Sequence, residues 1–303
     1  MKKILLTGSN GLLATKIIAY LEQIKYDPLC VLTTSKGANR NTLNIFQYLD
    51  LDVTEPLEVA KIIEKFEPNC VIHTAAMTNV DACESSRAAC LSLNVTAVKI
   101  LVDLAQKSNF HLIHLSTDFI FDGIEGKIYS ENDTPNPLSF YGLSKLKAEE
   151  IITEGQIHYS ILRTAIVYGF APHITRNNIV LWIKKSLENK QPINIVEDQY
   201  RNPTFAEDLA KACVEVALHQ KNGIFNVVGD EFINMYDLAL RIAKHWKLDE
   251  SLIKGIKTTS LNQSAKRPAQ THLTIEKAKK TFHYEPLSFE ESFIKLNNQL
   301  HQN

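Results

Sequence analysis

Short apolar stretches alternate with helical patterns through the first half of this chain, and that alternation limits the fold more than any other feature. Residues 3–7 read as a buried strand. Residues 12–24 read as a helix, with Leu13, Ile17, Ile18 and Leu21 at helical spacing. Further strands are expected at 29–33, 46–52, 70–74, 112–116 and 159–163, with helices at 56–66, 88–106 and 137–153. Repeated strand–helix alternation predicts parallel strands joined by right-handed crossovers. Near-continuous apolar strands such as Ile4-Leu5-Leu6 predict a sheet covered on both faces. The expected fold class is therefore α/β, a doubly wound parallel sheet of the Rossmann kind.

After Gly169 the rhythm changes. Helices are expected at 178–188, 203–219, 234–246 and 288–300, extended segments at 192–196 and 224–228, and a polar, loop-rich stretch at 248–273. This predicts a nucleotide-binding domain over 1–168 and a smaller C-terminal α/β substrate lobe over 169–303. Segments near 198–220 are expected to return to the first domain.

Composition narrows the function. With 33 Lys+Arg against 34 Asp+Glu, the net charge is -1, and no basic run offers a footprint for nucleic acid or an anionic membrane. The apolar run after Lys2-Lys3 is broken at once by Thr7-Gly8-Ser9, so it forms no signal peptide core. No window approaches the roughly 18 apolar residues of a membrane span. The five cysteines are odd in number and form no C-x-x-C pair, which predicts free thiols in a reducing cytoplasm and no metal site. A homodimer is allowed.

The string Gly8-Ser9-Asn10-Gly11-Leu12-Leu13-Ala14 follows a strand and opens a helix. Glycines there permit a tight turn and close approach of backbone to a diphosphate, and the helix start offers N–H groups and positive charge. Gly8, Asn10, Gly11, Leu12 and Leu13 are the candidate cofactor residues of this turn. The second strand ends Thr33-Thr34-Ser35-Lys36, with no carboxylate to repel a 2′-phosphate. Thr34 and Lys36 are thus expected to favour NADP(H), with NAD(H) as second choice. Asp52-Val53 closes the third strand, where Asp52 also suits a helix N-cap. Ala75-Ala76 follows the fourth strand, small enough for a ligand to lie against the strand ends.

Tyr141-Gly142-Leu143-Ser144-Lys145 carries the reaction chemistry. Tyrosine and lysine four apart share a helix face. A phenol with a pKa near 10 gives up a proton reluctantly, and a neighbouring ammonium is expected to lower that pKa. Tyr141 then protonates a carbonyl oxygen as hydride reaches its carbon. A hydroxyl at Thr117, ending the fifth strand, would hold the same oxygen.

These motifs resemble the extended short-chain dehydrogenase/reductase superfamily, and within it the dTDP-4-dehydrorhamnose reductases. The glycine turn is similar to T-G-x-x-G-x-x-G/A, and Thr117, Tyr141 and Lys145 match the Ser/Thr–Tyr–Lys set. The segment 116–123 resembles S-T-D-Y-V-F-x-G, 78–84 resembles T-x-V-D-x-x-E, 162–169 resembles L-R-T-x-W-V-Y-G, and 198–204 resembles D-Q-x-G-x-P-T. Sugar-nucleotide dehydratases carry Thr-Asp-Glu where this chain has Thr117-Asp118-Phe119, so elimination is disfavoured. The resemblance implies Asp52 and Val53 at the adenine, Thr78 near the cofactor and Asn94 in supporting hydrogen bonds. It also implies Asp118 and Arg267 on the sugar-nucleotide side, Arg267 facing the diphosphate. Two positions depart from the pattern. Ile166 replaces a tryptophan and Arg201 a glycine.

The implied activity is NADPH-dependent reduction of the 4-keto group of a nucleotide-linked deoxy sugar. Two alternatives stand beside it: a nucleotide-sugar epimerase that recycles bound NAD, and a non-catalytic NADP-binding subunit like that of methionine adenosyltransferase.

Overall fold

The computed structural model describes residues 2–25, 29–41, 43, 45–172, 174 and 178–301. Its centre is a seven-stranded sheet of β1 (Lys2–Thr7), β2 (Leu29–Ser35), β3 (Gln47–Asp50), β4 (Cys70–His73), β5 (His111–Thr117), β6 (Tyr159–Thr164) and β7 (Gly223–Asn226). The spatial order is β7-β6-β5-β4-β1-β2-β3, and every pairing is parallel. The chain winds one way from β1 and the other way from β4, so a crevice opens beyond the carboxyl ends of these two neighbours.

The helices are α1 (Leu12–Ile24), α2 (Pro56–Phe66), α3 (Val80–Ser85), α4 (Arg87–Leu91), α5 (Ala97–Ser108), α6 (Phe140–Glu154), α7 (Ile179–Glu188), α8 (Ala206–His219), α9 (Met235–Trp246), α10 (Glu276–Phe282) and α11 (Phe289–His301). Successive strand residues point to opposite faces. Ile4 and Leu6 share one apolar cluster with Ile17 and Leu21 of α1 and Leu209 and Cys213 of α8. Leu5 belongs to the opposite cluster, with Val59 and Ile63 of α2, Val98 and Leu101 of α5 and Ile152 of α6. All three β1 side chains are fully buried, each worth about 1.5–3 kcal/mol. A separate apolar cluster joins α7, α9 and α11 through Ile183, Ile242 and Phe293. Two parts of the second half, β7 and α8, lie on the central sheet.

The structure alters several expected elements. The helix anticipated at 88–106 is interrupted by a wider π turn at Ser92–Thr96. That turn buries Asn94, whose Oδ1 accepts from Met77 N at 2.8 Å and whose Nδ2 donates to Met77 O at 3.0 Å. Contrary to the sequence expectation, the helical run Arg87–Ser108 is long and apolar enough to cross a membrane. Its buried Val98, Leu101 and Val102 pack against the sheet. The helix expected from 203 starts at Ala206, because Thr204–Phe205 pairs with Val167–Tyr168. The loop-rich stretch holds a strand, Ile253–Ile256, paired with Ile193–Val196. Helix α3 is too short to show a hydrophobic period.

Candidate active site

The turn between β1 and α1 is shaped by backbone. Gly8 has φ of +73°, and a Cβ there would stand 2.6 Å from Ala75 N and 2.8 Å from Thr74 Oγ1. Only glycine fits both the conformation and the space. The turn is tied by Gly11 N to Gly8 O at 2.9 Å and by Ser9 N to Thr34 O at 3.0 Å. No side chain caps α1 at Gly11, and its first turn, beginning Leu12-Leu13, holds no acid. The helix start therefore keeps its positive end for an anion, which fits the diphosphate of a dinucleotide. Thr74 follows β4, and Ala75 after it lies beside Gly8; Ala76 comes next, and Thr78 lies between these residues and α3.

Around this turn the expected side-chain roles divide. Asn10 braces the turn, donating to Ala38 O at 3.0 Å and accepting from Arg40 N at 2.8 Å. Thr34 is fully buried, and its hydroxyl turns inward to Leu6 O at 3.4 Å. It does not offer that hydroxyl to a 2′-phosphate, because its place in the covered sheet points it into the core. Lys36 is exposed and lies 2.7 Å from Asp52 Oδ2. Asp52 also accepts from Thr54 N and Oγ1, and these bonds, led by Lys36, hold its carboxyl at about 2. Helix α2 begins after Glu55 with no side-chain cap, so Asp52 closes the 52–54 turn and is not the helix cap expected of it. Val53 beside it is buried.

At the end of β5 lies a second constellation. Ser139 caps α6 through Gly142 N at 3.2 Å, and Glu84 accepts from Phe140 N at 2.7 Å. A Cβ on Gly142 would stand 2.2 Å from Phe119 O. Glycine thus lets the first turn of α6 lie on the backbone after Thr117, which brings Tyr141 to that threonine. The Phe119 ring meets the Tyr141 ring edge-on, with centroids 5.8 Å apart. The Thr117 hydroxyl donates to Asp118 Oδ1 at 3.1 Å and accepts from Phe119 N at 3.2 Å.

The electrostatics correct one expectation. Burial holds the Tyr141 phenol above its ordinary value; a hydrogen bond with Thr117 opposes this, and the Asp118 carboxylate adds to it. The amine expected to lower it lies elsewhere. Lys145 is buried, with Nζ 2.8 Å from His114 Nε2 on β5. Burial lowers Lys145 to about 8, against the raising effect of Glu149 and Cys90. Burial first, then the Lys145 charge, holds His114 well below its ordinary value, which favours the neutral imidazole. The raised phenol is the opposite of the lowering expected from Lys145. From its place in a strand, His114 reads as a satisfied core or edge histidine and not as a metal ligand; the sequence does not give its contact with Lys145.

On the other side of Thr117, Asp118 is buried against Arg201, with Arg201 Nε 3.1 Å from Asp118 Oδ2. Arg267 does not project as an unpaired cation. Its Nη2 lies 2.5 Å from Asp81 Oδ2, and Asp81 also accepts from Ala265 N at 3.0 Å and Ser264 Oγ at 3.1 Å. Arg267 leads the causes that hold Asp81 at about 2. Ile166 has φ of +40°, an unusual backbone for a β-branched residue. Sequence reasoning names neither Asp81 nor Arg201 as a site residue. The signal was present in the strings that contain them, but their partners lie far along the chain.

The RmlD substrate binding domain family matches residues 1–301. A dTDP-4-dehydrorhamnose reductase of Aggregatibacter actinomycetemcomitans is 30% identical over 298 residues, covering 94% of this chain and 95% of the relative. The methionine adenosyltransferase 2 subunit beta of Danio rerio is 29% identical over 277 residues, covering 90% of this chain and 82% of the relative. The crystal structure of a dTDP-4-dehydrorhamnose reductase, an RfbD ortholog from Clostridium acetobutylicum, superposes with a TM-score of 0.85 at 29% identity, covering 99% of each chain.

Proposed function

Because the chain belongs to the RmlD substrate binding domain family, we propose that it is an NADPH-preferring reductase of the 4-keto group of a nucleotide-linked 6-deoxy sugar, similar to dTDP-4-dehydrorhamnose reductase. The observation that carries this reading is the placement of the Tyr141 phenol, on the first turn of α6, against Phe119 and beside Thr117 at the end of β5. Reduction of a carbonyl needs a proton donor, and this hydroxyl is the candidate.

Gly8, Gly11, Leu12 and Leu13 would hold the cofactor diphosphate, Lys36 the 2′-phosphate, and Asp52 with Val53 the adenine. Ala75, Ala76 and Thr78 would line its path, and Lys145 would reach the nicotinamide ribose. Bound NADPH supplies the hydride. Tyr141 gives its proton to the carbonyl oxygen, while Thr117 orients that oxygen. Phe119, where an eliminating enzyme needs an acid, packs on Tyr141 and offers no second proton donor. Residues 1–168 form the cofactor unit in this reading. Residues 169–303 hold the sugar nucleotide, with 198–220 returning to the first unit, and Arg267 exchanges Asp81 for the substrate diphosphate. We place the protein in the cytoplasm, in keeping with five unpaired cysteines.

The test is NADPH consumption with a panel of 4-keto-6-deoxy sugar nucleotides. One oxidised cofactor per reduced sugar supports the assignment; tight NADPH binding with no turnover on any member contradicts it. The similarity to the methionine adenosyltransferase beta subunit favours a second reading, a non-catalytic NADP-binding subunit. Co-purification with a methionine adenosyltransferase, together with absent turnover, would select it.

A further inference from the structure

Arg201 stands where the resembled pattern has glycine, yet it is only 1% exposed. A buried guanidinium costs several kcal/mol unless its donors are used, and here they are. Nη1 donates to Tyr200 O at 2.7 Å and Ala269 O at 3.0 Å, Nη2 donates to Pro268 O, and Nε faces Asp118. The guanidinium also lies over the Phe119 ring, 5.6 Å from its centroid. The contacts therefore reach two places at once: the residue after Thr117, and the segment just after Arg267. That segment is also docked through its backbone, with Tyr200 N on Ala269 O at 2.8 Å and Thr271 N on Tyr200 O at 3.2 Å. Thr271 Oγ1 then donates to Asp118 Oδ2 at 2.5 Å.

We propose that Arg201 is a positioning residue for the reaction: it orients Asp118 beneath Thr117 and locks the 267–271 segment to that corner. The sugar-binding side and the proton-donating side thus close as one unit. The inference rests on the reductase reading and adds to it a residue that the family pattern does not contain. Lysine cannot reproduce the arrangement, because one ammonium cannot span a carboxylate and three carbonyls with the geometry of a planar fork.

Asp118 provides the readout. Facing it are Arg201 from the Tyr200–Arg201 strand, Thr271 from the 267–273 segment, Thr117 from β5 and Tyr141 from α6, while Arg267 acts on Arg201 from the same segment. Burial raises the Asp118 carboxyl, and Arg201 is the largest opposing influence. Without that guanidinium, Asp118 takes up a proton at a higher pH and no longer acts only as an acceptor for Thr117.

The experiment compares wild type, Arg201→Met, Arg201→Lys and Thr271→Val as full-length proteins, for NADPH affinity, kcat, KM and pH–rate profile on a reducible 4-keto sugar nucleotide. NADPH affinity is expected to stay within about twofold. Arg201→Met should lose roughly 10–100-fold in kcat, the scale of a misplacement near 1 Å, and its acid limb should move to higher pH. Arg201→Lys should restore the limb but not the full rate. A folded Arg201→Met with unchanged limb and kcat within about threefold of wild type overturns the inference. If Arg201→Met does not fold, Thr271→Val decides, since it removes a second donor to Asp118 and should shift the limb in the same direction by less. No shift in that variant then overturns the inference. A wild type inactive on the whole panel overturns the reductase reading as well, so the two failures are distinct.

Discussion

The cofactor side and the sugar side of the crevice are built by different means. On the cofactor side the backbone carries the form: Gly8 at positive φ, two short turn bonds, and an uncapped helix start without acids. On the sugar side, ion pairs between distant segments carry it: Arg201 with Asp118, and Arg267 with Asp81. A backbone cradle is complete before ligand arrives, whereas a paired arginine must be released or shared. In the proposed reading, cofactor binding would then depend on shape, and sugar recognition on exchange of charged partners.

Four changes press on that contrast. The largest effect belongs to the junction of the two sides. Tyr141→Phe should cost about 10²–10⁴-fold in kcat with little change in NADPH affinity, measured by steady-state kinetics and cofactor fluorescence. A smaller residual loss would mean that another group supplies the proton. Next, Arg267→Met should raise KM for the sugar nucleotide roughly 10–100-fold, about 1.4–2.7 kcal/mol, and leave NADPH affinity alone. An effect on NADPH instead would break the division between sides.

Lys36→Glu should shift preference from NADPH toward NADH by about tenfold, near 1.4 kcal/mol, read as the ratio of kcat/KM values. Equal losses for both cofactors would remove Lys36 from 2′-phosphate recognition.

The last effect is on stability alone, leaves the kinetic contrast untouched and differs in sign between regions. In the central sheet, burial lowers His73 to about 3 and His111 to about 4. The unfolded chain takes up protons at these histidines below about 6.5 while the folded chain does not, so stability falls as pH drops from about 6.5 toward those values. Asp208 of α8 behaves oppositely. Burial raises its carboxyl to about 6, so its contribution improves as pH falls through 6 toward the unfolded value near 4. Its Oδ2 accepts from Leu287 N at 3.0 Å, a bond an amide oxygen can keep. Asp208→Asn should therefore raise stability at pH 7 by on the order of 1–3 kcal/mol, seen as a higher Tm that converges with wild type near pH 4. A lower Tm at pH 7 would contradict this.

The same contrast explains what the sequence made legible. Strand alternation, the glycine turn and the Tyr141–Lys145 spacing are local, and local periods survive in a linear string. The doubly wound class and its crevice follow from them, but the strand order comes from the packed sheet. The contact of Lys145 with His114 joins a helix to a strand that precedes it, and no spacing rule states which way a buried amine turns. Thr34 reads as a polar strand end, but burial turns its hydroxyl to Leu6 O. Arg201 reads as a break in a pattern, since its meaning comes from carbonyls at 268 and 269 and a carboxylate at 118. Pairing over such separations is a property of the packed state.

The central claim is that Tyr141 and Thr117 deliver a proton to a carbonyl reduced by NADPH. Its most direct measurement is transfer of label from NADPH deuterated at nicotinamide C4 to a 4-keto-6-deoxy sugar nucleotide. One deuterium at sugar C4 per cofactor oxidised is the expected result, with near-total loss of that transfer in Tyr141→Phe. Label that stays on the cofactor, or transfer undiminished without the phenol, would contradict it.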